Sequence, residues 1–214
     1  MVERAVIVAA GAPPLDRALP LDSEGAFVVA ADGGADTALA LGLRVDLAIG
    51  DFDSISTDGL AALERAGSRI ERHAAAKDAT DLELALDAAL AAEPRSIFVV
   101  GSAGGRLDHL LSSLELLASS RYAGVELDAQ LGGARVHVIH DSRLLEGEDG
   151  ELLSLQALHG AAHGVITEGL LYRLAGETLE PGSSRGVSNV FAASEARVSL
   201  ANGVLLAIRP GVVW

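Results

Sequence analysis

The sequence predicts an α/β fold, in which a mainly parallel, Rossmann-like sheet domain is followed by a smaller all-β sandwich domain. Up to about Arg121, short apolar runs alternate with stretches of helical period. After Arg121, strand-like segments are separated by turn sequences, of which Asn202-Gly203 is the strongest. We therefore expect one domain over residues 1–122 and a second over residues 133–214.

The first half contains four strand candidates and four helix candidates in alternation. The strand candidates are Ala5 to Ala10, Phe27 to Ala31, Leu47 to Ile49 and Ser96 to Val100. The helix candidates place apolar residues three and four apart. They are Ala35 to Leu43, Asp58 to Ala66, Asp81 to Ala91 and Leu107 to Ser119. This alternation predicts a parallel sheet, whose ligands bind beyond the carboxyl ends of the strands.

The second half has the pattern of short strands broken by turns. The strand candidates are Arg135 to Ile139, Leu152 to Ala157, Ala196 to Leu200 and Val204 to Ile208. Turn signals such as Pro181-Gly182-Ser183 recur at hairpin-like intervals between them. A small β-sandwich or barrel follows from this pattern, and it meets the first domain near residues 122 to 133.

Composition and charge exclude several classes of function. The 214 residues include 30 acids against 16 Lys and Arg, and the formal charge of −14 repels a nucleic-acid backbone. Cysteine is absent, so any metal must be bound by oxygen or imidazole. No apolar run approaches the roughly 20 residues that a membrane span needs. The amino terminus lacks the sections of a signal peptide, so we expect a cytoplasmic protein without nucleic-acid or membrane partners.

Acids directly follow two of the predicted strands. Asp32 stands before two glycines at the start of a helix, where it could cap the helix or lie beside a phosphate. Asp51 and Asp53 follow the next strand, and their side chains share one side of the chain if the segment is extended. Two neighbouring carboxylates repel each other and need a compensating cation. We therefore interpret this pair as a metal site.

Two later turns carry further charged residues. Asp78 and Asp81 lie three apart at a helix start, where Thr80 with Glu83 also fits an ordinary capping box, and Lys77 adds a positive charge. A glycine-rich turn follows the last predicted strand of this half and offers backbone amides, Arg106 and Asp108. Its spacing fits neither a P-loop nor a dinucleotide fingerprint, and Arg106 could instead be the phosphate clamp.

Taken together, the four turns indicate a Mg²⁺-nucleotide site at one edge of the predicted sheet. The histidine pairs do not indicate a second metal site. His137 with His140, and His159 with His163, lie in the β-rich half, where three- and four-residue spacings do not align side chains. We interpret both pairs as ordinary surface or core histidines.

At these turns the sequence resembles the thiamine pyrophosphokinase family. The motifs that match, in order, are Asp32-Gly-Gly, Gly50-Asp-Phe-Asp-Ser54, Asp78-Ala-Thr-Asp81, Gly104-Gly-Arg-Leu-Asp-His109 and Gly186-Val-Ser-Asn189. The resemblance implies transfer of pyrophosphate from ATP to thiamine, which yields AMP and thiamine diphosphate, with Mg²⁺ as cofactor. It also implies a homodimer in which thiamine sits between one protomer's α/β domain and the partner's β-domain.

The resemblance also implies roles for individual residues. The implied Mg²⁺ ligands are Asp51, Asp53 and Asp81. The implied nucleotide-binding residues are Asp78, Ser102, Gly104, Gly105, Arg106 and Asp108. The implied thiamine-binding residues are Ser188 and Asn189. Asp32 would lie close to the reacting groups, and the catalytic set is Asp32, Asp51, Asp53, Asp81 and Arg106.

The acceptor side departs from the family at one place. Some members carry a thiamine-stacking aromatic residue near the last strand, where this chain has Leu205, Leu206 and Ala207; its one tryptophan is Trp214. Three alternatives to this function stay open. They are a pyrophosphokinase for another heterocyclic alcohol, a Mg²⁺-dependent phosphohydrolase, and a non-catalytic nucleotide- or metal-binding module.

Overall fold

The computed structural model describes residues 2–11, 24–101 and 106–211. Two compact units divide the chain. The first unit contains the described residues up to Ser113 together with Gly124–Gly132, and the second contains Leu114–Ala123 and the described residues from Gly133 onward. In the described part of the chain, no helix is long and apolar enough to span a membrane.

The first unit contains a parallel sheet of six strands, which confirms the predicted fold class. The strands are β1 (Arg4–Ala9), β2 (Phe27–Ala31), β3 (Leu47–Gly50), β4 (Arg69–Arg72), β5 (Ser96–Val100) and β6 (Glu126–Leu131). Their order is β6-β5-β1-β2-β3-β4, with parallel pairing throughout. The sequence pattern does not indicate β4, whose Arg-Ile-Glu-Arg segment has no apolar run, or β6, which alternates buried residues with half-buried or exposed ones.

Four helices were predicted, and all four are present with small shifts at their ends. They are α1 (Gly34–Ala40), α2 (Thr57–Ala66), α3 (Asp81–Ala91) and α4 (Leu107–Leu117). Helix α2 begins after Ser56, whose hydroxyl accepts the N–H of Gly59, and it ends at Gly67 in the left-handed conformation. Helix α3 begins after Thr80, whose hydroxyl accepts the N–H of Glu83 at 3.2 Å. The capping interaction predicted at Thr80 is therefore confirmed.

Helices cover both faces of this sheet. One core cluster joins the sheet to α1 and α2, and its buried members are Val6, Val8, Val28, Ala30, Ala35, Ala38, Leu43, Val45, Ala48 and Leu63. Val6 and Val8 alternate along β1, as residues on one face of a strand must. Helix α3 contacts β1, β2 and β3, but its buried residues are not in that cluster. We place α3 on the opposite face.

The second unit is an antiparallel β-sandwich. Its strands are β7 (Ala134–Ile139), β8 (Ser142–Glu146), β9 (Leu152–Ala157), β10 (Ala162–Glu168), β11 (Ala175–Leu179), β12 (Asn189–Val190), β13 (Glu195–Ser199) and β14 (Leu205–Arg209). One sheet has the order β12-β9-β14-β7, and the other has the order β11-β10-β13-β8. Alternate residues of both sheets meet in one core, for example Leu153 and Leu155 of β9 with Val198 of β13.

Two glycines hold the turns of the first unit against the carboxyl end of β1. A Cβ built on Gly34 would overlap the carbonyl oxygen of Val8, and one built on Gly101 would overlap that of Ala9. Gly34 follows β2 and Gly101 follows β5, so turns from both neighbouring strands pack against the same end of β1. Only residues without a Cβ allow this approach.

We expect Gly34→Ala to lower the free energy of unfolding by about 2 kcal/mol or more, because the new methyl group must displace backbone rather than a flexible side chain. Gly124→Ala is the matched control, since a Cβ there meets no atom within 4 Å. Urea denaturation of both variants measures the difference. Equal stability of the two variants would contradict the close approach.

Candidate active site

Three carboxylates meet at the carboxyl edge of the parallel sheet. Asp32 follows β2, and Asp51 and Asp53 follow β3, which pairs with β2. One oxygen from each carboxylate lies within 4.8 Å of the other two. Because neighbouring parallel strands end at the same edge, residues that follow β2 and β3 are brought together although they lie about twenty residues apart in sequence.

Unusual backbone conformations build this cluster. Asp32 and Phe52 both have positive φ angles, 44° and 61°, which are uncommon for residues with a side chain. The N–H of Asp32 donates to the carbonyl of Ile49 at 2.9 Å, which ties the two turns together. Gly50 has a φ of 149°, and a Cβ built there would lie 3.1 Å from both the Asp32 Cβ and the Asp81 Oδ1. Glycine at position 50 therefore lets Asp32 and Asp81 approach the same turn.

The buried oxygen of Asp32 carries the strongest indication of a ligand. Asp32 is only 7% exposed, and its Oδ1 is buried without a hydrogen-bond donor among the described residues. A buried carboxylate oxygen without a partner is costly unless a cation or donor reaches it. Carboxylate oxygens are ligands for hard cations such as Mg²⁺, so these three residues fit a hard divalent cation.

Neighbouring side chains fix the loop that carries Asp51 and Asp53. The Ser54 hydroxyl donates to Asp53 Oδ1 at 2.7 Å. The guanidinium of Arg72, at the end of β4, lies 5.0 Å from the centre of the Phe52 ring, within the range of a cation–π contact. These contacts restrain the loop on both sides of Phe52.

Lys77 supplies positive charge beside the carboxylates. Its Nζ lies 3.0 Å from Asp81 Oδ1 and 3.5 Å from Asp51 Oδ2, and the lysine side chain is only 16% exposed. Desolvation lowers the pKa of Lys77, but the combined attraction of Asp81 and Asp51 outweighs it, so the pKa lies above its usual value. The ammonium is therefore charged at neutral pH and partly offsets the local acidity.

The remaining predicted nucleotide-binding residues are only partly described. Asp78 is exposed in the turn before α3. The Arg106 guanidinium binds Asp108 through two contacts, Nε to Oδ1 at 3.2 Å and a terminal nitrogen to Oδ2 at 2.5 Å. The hydrogen bond from Arg106 lowers the pKa of Asp108 to about 2. The predicted residues Ser102, Gly104 and Gly105 lie outside the described residues.

The two predicted thiamine-binding residues lie in the second unit. Ser188 has a φ of 59°, and its N–H donates to the Ser154 hydroxyl at 3.1 Å. Asn189 is 4% exposed, and its side-chain amide bonds to the backbone of Tyr172. This tie to Tyr172 connects residues 17 apart in sequence, and the spacing of the motif gave no sign of it.

The last strand, β14, has no aromatic side chain at Leu205, Leu206 or Ala207, where some family members carry one near this strand. The side chains of Leu205, Leu206 and Ala207 are at most 1% exposed and lie in the interior. Trp214 lies outside the described residues.

Two family models match the chain. The model for the thiamin pyrophosphokinase catalytic domain matches residues 21–128, which is half of the chain and includes the carboxylate cluster. The chain belongs to the thiamin pyrophosphokinase family. The model for the vitamin B1 binding domain of the same family matches residues 136–205. The resemblance stated from the motifs is thereby confirmed.

Individual members of the family are also similar to this chain in sequence and in structure. The thiamine pyrophosphokinase of Bacillus subtilis (strain 168) is 30% identical over 187 residues, which cover 85% of this chain and 86% of that protein. A crystal structure of thiamine pyrophosphokinase from Bacillus subtilis matches with a TM-score of 0.82 and 28% identity, over 98% of this chain and all of that one. The thiamin pyrophosphokinase of Candida albicans shares the fold at a TM-score of 0.78, with 17% identity over 97% of this chain and 90% of that one.

We expect Mg²⁺ to raise the melting temperature of the wild-type protein, because it relieves repulsion among Asp32, Asp51 and Asp53. Binding at 100 times Kd stabilises a protein by about 2.7 kcal/mol. Asp53→Asn removes one charge and little volume, so it should weaken this response. Differential scanning fluorimetry with and without Mg²⁺ measures it.

The matched control is Asp149→Asn, an exposed acid in a turn of the second unit. Its melting temperature should respond to Mg²⁺ as the wild type does. A wild-type melting temperature that does not change with Mg²⁺ would contradict a metal site at these carboxylates. An Asp53→Asn variant with the same increase as the wild type would contradict it as well.

Proposed function

We propose that this protein is a thiamine pyrophosphokinase, which transfers the terminal pyrophosphoryl group of ATP to thiamine and releases AMP. Membership of the family, together with the acid cluster at the carboxyl edge of the sheet, supports this function. In this reaction the primary hydroxyl oxygen of thiamine bonds to the β-phosphorus of ATP. The bond from that phosphorus to the AMP oxygen breaks, and the hydroxyl proton passes to a base.

We assign the metal to the carboxylates at the ends of β2 and β3. Asp32, Asp51 and Asp53 would hold Mg²⁺, and Asp81, predicted as a ligand from the sequence, lies beside them and pairs with Lys77. When bound, Mg²⁺ supplies positive charge that offsets the negative charge of the phosphates. The Oδ1 of Asp32, which is buried and has no hydrogen-bond partner among the described residues, is the observation that favours this assignment.

Positive side chains would add to the binding of ATP. Lys77 is charged and lies against Asp51 and Asp81, where it can also contact a phosphate oxygen. Arg106 stands at the start of α4 with an exposed guanidinium, which suits a bidentate contact to phosphate. Asp108 holds that guanidinium in the present structure, so ATP would compete with Asp108 for it. Any of the clustered carboxylates can accept the hydroxyl proton, and we assign no single base.

We also propose that the domain of residues 1–122 binds ATP and Mg²⁺, whereas residues 133–214 bind thiamine and form a homodimer. The family resemblance supports this division, and the exposed apolar side chains Leu144, Ile166 and Leu171 of the second unit are consistent with a covered surface. Size-exclusion chromatography with light scattering tests the dimer. A monomer at micromolar concentration would contradict it.

We expect purified protein with ATP, Mg²⁺ and thiamine to form equal amounts of AMP and thiamine diphosphate, measured by chromatography. Omission of thiamine or Mg²⁺ should abolish both products. Asp53→Asn should lower turnover by about a hundredfold or more, because it weakens the binding of the cation that would offset transition-state charge. Asp149→Asn should keep the wild-type rate.

Other outcomes of the same assay would identify the competing functions. ADP or free phosphate without an acceptor would indicate a phosphohydrolase. Bound ATP with no product from thiamine, but with AMP released on addition of another heterocyclic alcohol, would indicate a different acceptor. Binding without turnover on any acceptor would indicate a non-catalytic module.

A further inference from the structure

Asp36, on helix α1, is an acid that the proposed function leaves without a role. It lies four residues after Asp32 and is half-buried. Both of its carboxylate oxygens accept hydrogen bonds from one residue, Ser56. Oδ1 accepts the side-chain hydroxyl at 2.7 Å, and Oδ2 accepts the backbone N–H at 2.8 Å. Hydrogen bonds to a carboxylate are stronger than those between neutral groups, so Asp36 restrains the backbone and the side chain of Ser56 together.

Ser56 stands at the end of the loop that carries two of the clustered acids. The loop follows β3 and starts with Asp51, and helix α2 begins directly after Ser56. The Ser56 hydroxyl donates to Asp36 and accepts the N–H of Gly59 at 2.9 Å. The same hydroxyl therefore caps α2 and joins it to α1. Through this residue, one side chain of α1 holds the point at which the loop enters α2.

Gly59 leaves the space that the carboxylate of Asp36 occupies. Gly59 is buried in the first turn of α2. A Cβ built there would overlap Asp36 Oδ1 and would lie 3.0 Å from the Ser56 Oγ. Three residues on two helices are thus matched to one another, which favours a specific contact over a chance meeting of exposed side chains.

Apolar packing holds the loop to the protein but does not orient its acids. Phe52 and Ile55 are partly buried and pack against the core cluster of the first unit, and Asp53 stands between them in sequence. Apolar contacts are non-directional, whereas hydrogen bonds are directional. The hydrogen bond from the N–H of Asp32 to the end of β3 holds the start of the loop. The contact with Asp36 holds its other end.

We propose that Asp36 is a positioning residue for the metal site and that, through Ser56, it sets the orientation of the loop acids Asp51 and Asp53. This inference rests on the proposed function, because those acids would hold Mg²⁺. The described carboxylate cluster does not include Asp36, so Asp36 acts through the loop rather than as a ligand. Loss of a group that orients a metal ligand typically weakens metal binding by about 10- to 100-fold.

Binding of Mn²⁺ without ATP or thiamine tests the proposal apart from catalysis. Mn²⁺ takes oxygen ligands as Mg²⁺ does, and the EPR signal of free Mn²⁺ gives the Kd. Asp36→Ala should raise this Kd by about tenfold. Asp36→Asn should raise it by only about threefold, because a carboxamide keeps one acceptor oxygen for Ser56. Both variants lose the same charge, so equal losses would show an effect of charge alone and would overturn the positioning role.

Ser56→Ala is a second test, which changes no charge. It removes the hydroxyl from the contact, so it should also raise the Kd for Mn²⁺, even if Asp36→Ala does not fold. In the Asp36→Ala background it should add little further loss, because both changes break the same contact. Losses that simply add, or an unchanged Kd in Ser56→Ala, would overturn the route through Ser56.

Asp46→Ala is the matched control. Asp46 Oδ2 accepts the N–H of Val28 at 2.9 Å, so this variant also removes a carboxylate and its hydrogen bond from the first unit. Asp46 directly precedes β3, at the end of the strand opposite to the carboxylate cluster. The variant should lower the melting temperature and leave the Kd for Mn²⁺ unchanged. A weaker Mn²⁺ affinity in Asp46→Ala would show that lost stability alone explains the effect and would overturn the proposal.

Turnover distinguishes a positioning residue from a ligand or a base. The metal ligands remain in Asp36→Ala, so saturating Mg²⁺ should restore the wild-type kcat, while the Mg²⁺ concentration that gives half the maximal rate should rise by about tenfold. A kcat that stays low at saturating Mg²⁺ would overturn the positioning role.

The outcomes separate this inference from the proposed function. A wild-type protein that binds no Mn²⁺ and makes no thiamine diphosphate overturns both. Wild-type turnover together with an unchanged Kd for Mn²⁺ in Asp36→Ala and Ser56→Ala overturns the role of Asp36 alone.

Discussion

The site depends on the mutual repulsion of carboxylates that the fold forces together. Parallel pairing of β2 with β3 brings Asp32 beside Asp51 and Asp53, and the positive φ angles at Asp32 and Phe52 show that the backbone adopts uncommon conformations there. Lys77 forms an ion pair with Asp81, and its positive charge offsets part of the negative charge of the cluster. A divalent cation would offset the rest, so the arrangement is costly as a purely structural feature and useful as a binding site.

The two units hold the side chains of their sequence motifs in different ways. In the first unit, charge is concentrated at the ends of strands, and hydrogen bonds such as that from Ser54 to Asp53 orient the acids. In the second unit, the motif residue Asn189 is buried, and its side-chain amide bonds to the backbone of Tyr172.

The sequence could predict what depends on local pattern. Apolar runs predict β1, β2, β3 and β5, and the acidic motifs that follow β2 and β3 indicate every acid of the cluster. It could not predict β4, whose short polar segment pairs only because β3 lies beside it. Nor could it predict the partners of Lys77 or the hydrogen bonds between Asn189 and Tyr172. Those contacts join residues whose proximity is decided by tertiary structure, and single-residue chemistry carries no signal of it.

The positions of this chain differ in how well they should tolerate substitution, and the two glycines packed against the end of β1 are the most restricted. Gly34 and Gly101 have carbonyl oxygens where a side chain would begin, so saturation libraries at these positions should yield almost no functional clones. Tyr172, by contrast, is exposed and attached by its backbone, so its side chain can vary without loss of the sandwich. Substitutions at Tyr172 should therefore be tolerated more readily than substitutions at Gly34 or Gly101.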